Sequence, residues 1–344
     1  MPTEPAAAPP LSDQTVLVTG GGGFLGGAIV RLLVARGDSV RSFSRSRYPR
    51  LDTMGADQVQ GDLADVHALQ TACQGVDLVF HVAALPGVWG PYDAFYQTNV
   101  VGTENIIQAC RDNDVGRLVY TSSPSVVFDG RDMEGGDESL PYPPTYQTHY
   151  PRTKAMAERR VRRAADGRLR TIALRPHLIW GPGDNHLVPR IIQRARRLRR
   201  VGDGKNKVDT IYVDNAAHAH LLAAEKLALR PELSGRAYFI SQDAPIPLWD
   251  MVNAILAAAD LPPVTRTLSV ASARRVGAAL EWLYRTFRLP GEPQMTRFLA
   301  EELSTSHWFD IRAAREDLGY RALISTEEGL NRLRQWLREE KPYS

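Results

Sequence analysis

Through the first half of the chain, short and nearly continuous apolar runs alternate with amphipathic stretches. "TVLVTG" (15–20) is apolar up to its closing glycine, and "FLGGAIVRLLVARG" (24–37) has helical spacing and ends on Gly37. "DSVRSFSR" (38–45), "DLVFHVAAL" (77–85), "GRLVYTSS" (116–123) and "GRLRTIALRP" (167–176) read as strands, and another short strand precedes "QGDLAD" (60–65). "AFYQTNVVGTENIIQACRD" (94–112) has helical periodicity. Strands apolar on both faces and separated by helices predict a parallel sheet with helices on both sides. The expected fold class is α/β with a doubly wound parallel sheet.

Beyond Pro176 the regularity weakens. Proline and glycine recur in "WGPGDN", "GDGKN", "DAPIPLWD", "DLPPVT" and "RLPGEP", between helices such as "DMVNAILAAAD" and "STEEGLNRLRQWLREE". This pattern divides the chain into a nucleotide-binding sheet domain over 13–176 and a smaller, mainly substrate-binding C-terminal subdomain over 177–344, with some returns of the chain to the sheet. The opening "MPTEPAAAPP" reads as a disordered tail over 1–12.

The composition adds limits. Of 344 residues, 43% are apolar and 24% charged, ordinary for a globular protein. A net charge of +3, from 42 basic and 39 acidic residues, is too even to indicate a nucleic-acid binder. Cys73 and Cys110 form no CxxC pair, so neither a disulfide framework nor a metal site is expected, and a reducing cytoplasm is the default location. No stretch approaches the roughly 18 apolar residues of a transmembrane helix, and the N-terminus lacks the basic and apolar regions of a secretory signal.

The chemistry starts at "VTGGGGFLGGAIV", where Gly20, Gly23 and Gly26 stand in GxxGxxG spacing between strand and helix. Glycine permits the tight turn and a close backbone approach to a pyrophosphate, which the helix N-terminus attracts with its free N–H groups. A glycine-rich turn can be only a turn; this strand–helix context points to a Rossmann-type dinucleotide site including Phe24 and Leu25. The second strand ends in Ser44 and Arg45, with Arg47 close behind and no acid. That favours NADP(H), because an acid would hold the 2′-OH of NAD whereas arginine suits a 2′-phosphate; the plain alternative is a solvated basic turn. Asp62 and Leu63 would lie beside the adenine, and Asp62 could equally cap the next helix.

With these motifs the chain resembles the extended short-chain dehydrogenase/reductase family. "TGGGGFLG", "GDL", "HVAA", "NVVGT", "YTSS", "YPRTK" and "RPHLIWGP" occur in that family's order across nearly the whole chain. The resemblance implies a catalytic pair Tyr150 and Lys154, a catalytic serine at Ser123 with Ser122 as its neighbouring candidate, and a site-ordering Asn99. It also places Ala83 and Ala84 beside the cofactor and makes Pro176 the start of the loop that meets the nicotinamide. Residues at i and i+4 share a helix face. A lysine ammonium there is expected to lower the tyrosine from its free value of about 10, making Tyr150 a general acid for a ketone oxygen. Lys154 would also hold the nicotinamide ribose, and Ser123 would donate to the same oxygen. The structural alternative for the pair is a solvated helix face.

"YTSSPSVVFDG" departs from the nucleotide-sugar branch, while "GDGKNKVDTIYVDNAAHAHLLAAE" resembles the hydroxysteroid-dehydrogenase-like branch. Within it, "LIWGPGDNHLVPRI", "SGRAYFISQDAPIPLWDMVNAIL" and "STSHWFDI" look most like the 2-alkyl-3-oxoalkanoate reductases of bacterial long-chain olefin biosynthesis. That implies NADPH reduction of a long-chain β-keto acid, a homodimer and other enzymes of the same pathway as partners. The 3β-hydroxysteroid and sterol-4-carboxylate dehydrogenases share much of the pattern. A nucleotide-sugar epimerase or dehydratase is a further alternative; an idle dinucleotide-binding regulator would not need Ser123, Tyr150 and Lys154 intact.

Other features carry less. "RIIQRARRLRR" (190–200) reads as a basic helix with a solvated face, or a surface for an acidic partner. In "ASARRVGAALEWLYRTFRLPG", Leu280, Trp282, Leu283, Tyr284 and Phe287 are expected to pack in the core or line a substrate tunnel rather than lie against a membrane surface. Trp89 and Tyr92 stand on a loop at the ligand-binding edge of the sheet or simply anchor it. His149 and His177 lie near the site, but a lone histidine is more often structural.

Overall fold

The computed structural model describes residues 13–340; the tail expected over 1–12 lies outside them. Seven parallel strands form the main sheet: β1 Thr15–Thr19, β2 Ser39–Ser44, β3 Asp57–Gln60, β4 Leu78–His81, β5 Arg117–Thr121, β6 Arg170–Pro176 and β7 Arg236–Ile240. Their order is β7-β6-β5-β4-β1-β2-β3. The chain runs outward from β1 to β3, then restarts at β4 on the other side of β1. Such a reversal opens a crevice at the carboxyl ends of the strands. The doubly wound Rossmann sheet expected from the sequence is the fold observed.

Strand pleating explains why these strands are apolar on both faces. Val16 and Val18 enter one core with Ile29, Val30 and Leu33 of α1 (Phe24–Arg36), while Leu17 enters the other with Ile106, Cys110 and Val161. Both cysteines are free and buried, acting as small apolar residues. Fully burying an aliphatic side chain contributes about 1.5–3 kcal/mol, so two filled cores hold the sheet firmly beneath its carboxyl edge. α2 (His149–Arg163) lies on the second face, and α3 (Val213–Leu229) packs along α1 on the first.

The later half of the chain contributes to both regions. α3 and β7 follow residue 176 yet belong to the main sheet, where β7 pairs with β6 from Arg236↔Ile172 to Ile240↔Pro176. Conversely, Met133–Gly136 joins a small sheet with Lys207–Val208, Ile246–Pro247 and His307–Phe309. This sheet, α4 (Val270–Thr286) and the short helix α5 (Arg297–Glu302) build the rest of the second region.

Two sequence expectations change here. The basic run is α-helical only as part of Leu187–Arg194; it tightens to a 3₁₀ turn over Ala195–Arg197 and ends as a strand at Arg200–Val201, paired with Thr267–Leu268. The aromatic segment is not core: Trp282 and Phe287 are 63% and 61% exposed and pack edge-on against each other. The inward stripe of α4 is instead Ala273, Gly277 and Glu281. A Cβ on Gly277 would lie 2.6 Å from the Thr296 carbonyl carbon, and Glu281 clamps Arg297 at 2.8 Å. Small residues let α4 seat closely on α5, which turns the large aromatics outward. Among the described residues, no helix is long and apolar enough to cross a membrane.

Candidate active site

A cleft of about 790 Å³ crosses the carboxyl edge of the sheet. Gly20, Gly23, Phe24, Leu25, Gly26, Ser44, Arg45, Asp62, Leu63, Ala83, Ser123, Tyr150, Lys154 and Pro176 all line it. Of the residues singled out from the sequence, Asn99, Arg47, Trp89, Tyr92 and His149 do not.

At the glycine end the backbone forms a cradle. Gly20 has φ +72, and a Cβ there would sit 3.0 Å from the Ala83 backbone. A Cβ on Gly26 would lie 2.1 Å from the Gly20 oxygen, so the helix can approach the strand only as glycine. No side chain caps α1 at Gly23, which leaves its first-turn N–H groups without acceptors from the helix. Two residues that sequence reasoning missed shape this loop. The Arg50 guanidinium donates to the Gly22 and Gly23 oxygens at 2.5 and 2.9 Å. The Tyr48 ring fills the space a Gly22 side chain would need. Neither has a distinguishing motif, since contact across the β2–β3 connection is a tertiary fact.

At the next stretch of cleft, Arg45 makes no side-chain hydrogen bond or ion pair among the described residues, whereas Arg47 pairs with Asp52. Asp62 accepts from the Ala64 amide at 2.9 Å, but Asp65 caps the following helix, through the Ala68 amide at 3.0 Å. The capping alternative for Asp62 therefore falls on its neighbour.

At the far end, α2 presents Tyr150 and Lys154, and Ser123 begins the turn Pro124–Val127. The Ser123 hydroxyl lies close enough to favour the Tyr150 phenolate. Ser122 is turned inward toward Glu158. Lys154 Nζ donates to the Thr121 oxygen at 2.7 Å and sits 4.2 Å over the Tyr120 ring. Burial pulls its ammonium down to about 7, opposed by Glu158. Glu158 is locked by Arg175 at 2.6 and 3.0 Å and by the Tyr142 hydroxyl at 2.6 Å.

The tyrosine differs from expectation. Burial pushes Tyr150 up to about 12, only partly offset by Ser123. The chain by itself does not depress it, because Lys154 points its charge at a carbonyl and burial penalises the phenolate.

Asn99 works from behind the cleft, on a π turn at Gln97–Val101. Its Oδ1 accepts from the Leu85 amide at 2.7 Å, and its Nδ2 donates to the Leu85 oxygen and Thr153 Oγ1, each at 3.1 Å. It ties the loop after β4 to α2. His149 packs against Tyr92 and Phe95 outside the cleft. Trp89 meets Tyr284 of α4 edge-on.

The apolar part of the cleft is lined by Phe128, Met133, Phe298 and Phe309, with His177, His307 and Glu302 among them. Glu302 had no sequence signal, and His307 lay within "STSHWFDI" without being singled out.

A model of the 3-beta hydroxysteroid dehydrogenase/isomerase family matches residues 17–270. The chain belongs to this family. It is an extended short-chain dehydrogenase/reductase, an oxidoreductase class that binds NAD(P). A 2-alkyl-3-oxoalkanoate reductase of Stenotrophomonas maltophilia is 54% identical over 93% of this chain and 98% of that protein. A decarboxylating sterol-4-alpha-carboxylate 3-dehydrogenase of Mus musculus is 35% identical over 92% of this chain and 88% of its own length. The fold is also similar to MoeE5 in complex with UDP-glucose and NAD, with TM-score 0.73, 26% identity and coverage of 95% of this chain and 99% of that one. The side-chain-free cradle and open helix N-terminus of this dehydrogenase fit a dinucleotide pyrophosphate.

Proposed function

We propose that the protein uses NADPH to reduce the 3-keto group of a long-chain 2-alkyl-3-oxoalkanoate to the 2-alkyl-3-hydroxyalkanoate, in cytoplasmic olefin biosynthesis. The observation that carries this reading is the convergence of Ser123 and Tyr150 on an apolar cleft end, in a chain 54% identical to a reductase of that name. In this reading NADPH, when bound, supplies the hydride that reaches the ketone carbon. Tyr150 gives its phenolic proton to the ketone oxygen, completing the alcohol, and is reprotonated from water. Ser123 donates to the same oxygen and stabilises its developing charge. Lys154 holds the cofactor ribose and Asn99 keeps α2 and the Leu85 loop in place. Ser44 and Arg45 take the 2′-phosphate, Asp62 and Leu63 flank the adenine, and Pro176 leads the loop at the nicotinamide. The division at residue 176 separates cofactor-binding from mainly substrate-binding chain, α3 and β7 being the returns.

The 35% identity to a sterol-4-alpha-carboxylate 3-dehydrogenase favours a second reading, oxidation or reduction at C3 of a sterol. NADPH consumption against long-chain 2-alkyl-3-keto acids, ketosteroids and UDP-sugars decides between them. The proposal expects the keto acids to be turned over best, with efficiency rising with chain length up to about fourfold per buried methylene, from roughly 0.8 kcal/mol each. Faster turnover of ketosteroids than of every keto acid would reverse the order.

A further inference from the structure

One acidic side chain in the apolar end of the cleft has no role in the chemistry above. Glu302 ends α5 and lines the same cavity as Tyr150. Its charge acts on the Tyr150 phenol. Its carboxyl makes no hydrogen bond or ion pair among the described residues, while its neighbours are engaged: Glu301 with Gln147 and Arg274, Arg297 with Glu281.

The two histidines beside it cannot donate into the cleft. His307 Nε2 lies 3.0 Å from the Glu302 backbone oxygen, which only accepts, so that nitrogen carries the proton. Burial holds both rings below their ordinary range, so they are neutral, and His307 Nδ1 must accept. His177 Nε2, 2.6 Å away, is then the donor in that bond. His177 is left with a bare Nδ1, an acceptor.

Apart from Arg45 beside Ser44, at the glycine-loop side of the cleft, the cations lining it are committed elsewhere. Lys154 is bonded to Thr121, and Arg190 is paired with Glu292 at 3.0 Å. Asp184 and His186 also line the cleft, and the Asp132 charge acts on His307. A β-keto acid nevertheless carries its carboxylate two carbons from the ketone, so an anion must lie close to Tyr150 when the ketone oxygen does.

We propose that Glu302 recognises the substrate carboxylate as a neutral acid, donating its own proton in a carboxyl–carboxylate hydrogen bond. This rests on the keto-acid reading above. Two carboxyl groups at one site share a proton readily, because ionising both is penalised, and an O–H···O⁻ bond is among the stronger hydrogen bonds. Burial raises Glu302 to about 7, so the donor is present near neutrality without any cation.

The test compares a 2-alkyl-3-keto acid with its methyl ester across pH 6–9, using the full chain and saturating NADPH. For the wild type, KM for the acid should rise up to tenfold per pH unit above about 7, while KM for the ester stays flat. Glu302→Gln, whose amide donates at every pH, should lose the acid's pH dependence. Calorimetry at pH 8 with NADP+ in place of NADPH, so that no reduction consumes a proton, in two buffers of different ionisation enthalpy gives an independent reading, with up to one proton taken up per acid bound and none per ester. A flat KM for the acid in the wild type, an unchanged slope in Glu302→Gln, or no proton uptake overturns the proposal. If Glu302→Gln fails to fold, the wild-type slope and proton uptake decide. Failure to turn over the keto acids at any pH, with ketosteroids accepted, would instead refute the substrate reading.

Discussion

Arg45→Asp tests cofactor choice with little structural side effect. The Arg45 guanidinium makes no hydrogen bond or ion pair among the described residues, so replacing it removes no fold contact, yet it lines the cleft beside Ser44. A hydrogen bond to a charged group contributes about 1.5–3 kcal/mol. At about 1.4 kcal/mol per tenfold, losing it should lower kcat/KM for NADPH by roughly 10–150-fold. The new carboxylate repels the 2′-phosphate and can accept from a ribose hydroxyl, so NADH should lose little or gain. Two neighbouring arginines act as controls. Arg47 is engaged with Asp52, and Arg47→Ala should change the preference little. Arg50 holds the Gly22 and Gly23 oxygens, and Arg50→Ala should weaken both cofactors together. The assay is steady-state kinetics with NADPH and NADH, supported by fluorescence titration of each. Equal wild-type efficiency with both cofactors, or an Arg45→Asp enzyme that keeps its NADPH efficiency, would refute the reasoning.

Three further outcomes are expected. Tyr150→Phe should cut ketone reduction by roughly 100-fold or more with little change in NADPH affinity, whereas Lys154→Ala should weaken both and Ser123→Ala turnover alone; kinetics with a separate cofactor titration distinguishes them. Gly26→Ala would place a Cβ 2.1 Å from the Gly20 oxygen, so dinucleotide titration should show binding lost or strongly weakened while circular dichroism stays folded. Asp209 is fully buried, accepts from the Phe309 amide at 2.8 Å and is raised by burial to about 7. A raised acid contributes stability that is present at low pH and lost as pH rises through the folded value. Lys154, depressed to about 7, contributes in the opposite sense. Asp209→Asn should therefore stabilise the protein relative to wild type more at pH 8 than at pH 5.5, seen as melting temperatures; an equal shift at both would show that Asp209 does not titrate in that window.

The Rossmann core was legible because its signals are local. Strand pleating and helical periodicity repeat every few residues, and the turn at Gly20 to Gly26 is specified within one strand–helix connection. The YxxxK pair shares a helix face by spacing alone. Each of these is set by neighbours in the chain, so the amino-acid sequence by itself determined them. What it left open depended on which face meets which partner. Leu280 to Phe287 carry large aromatics that suggest a core, but Gly277 meets Thr296 at backbone distance and Glu281 clamps Arg297, and those contacts turn Trp282 outward. Asn99 is close to no site residue in sequence, and it acts by joining Leu85 to Thr153 across elements. Lys154 was expected to lower Tyr150, yet its direction was set by the Thr121 carbonyl on β5 and by burial. Glu302 and His307 lie five residues apart but 125 or more from His177, and their tautomers and charge follow from contacts and desolvation that exist only once the second region packs over the sheet edge. Local backbone preference and periodicity are written residue by residue, whereas side-chain partners and the dielectric around them arise from packing.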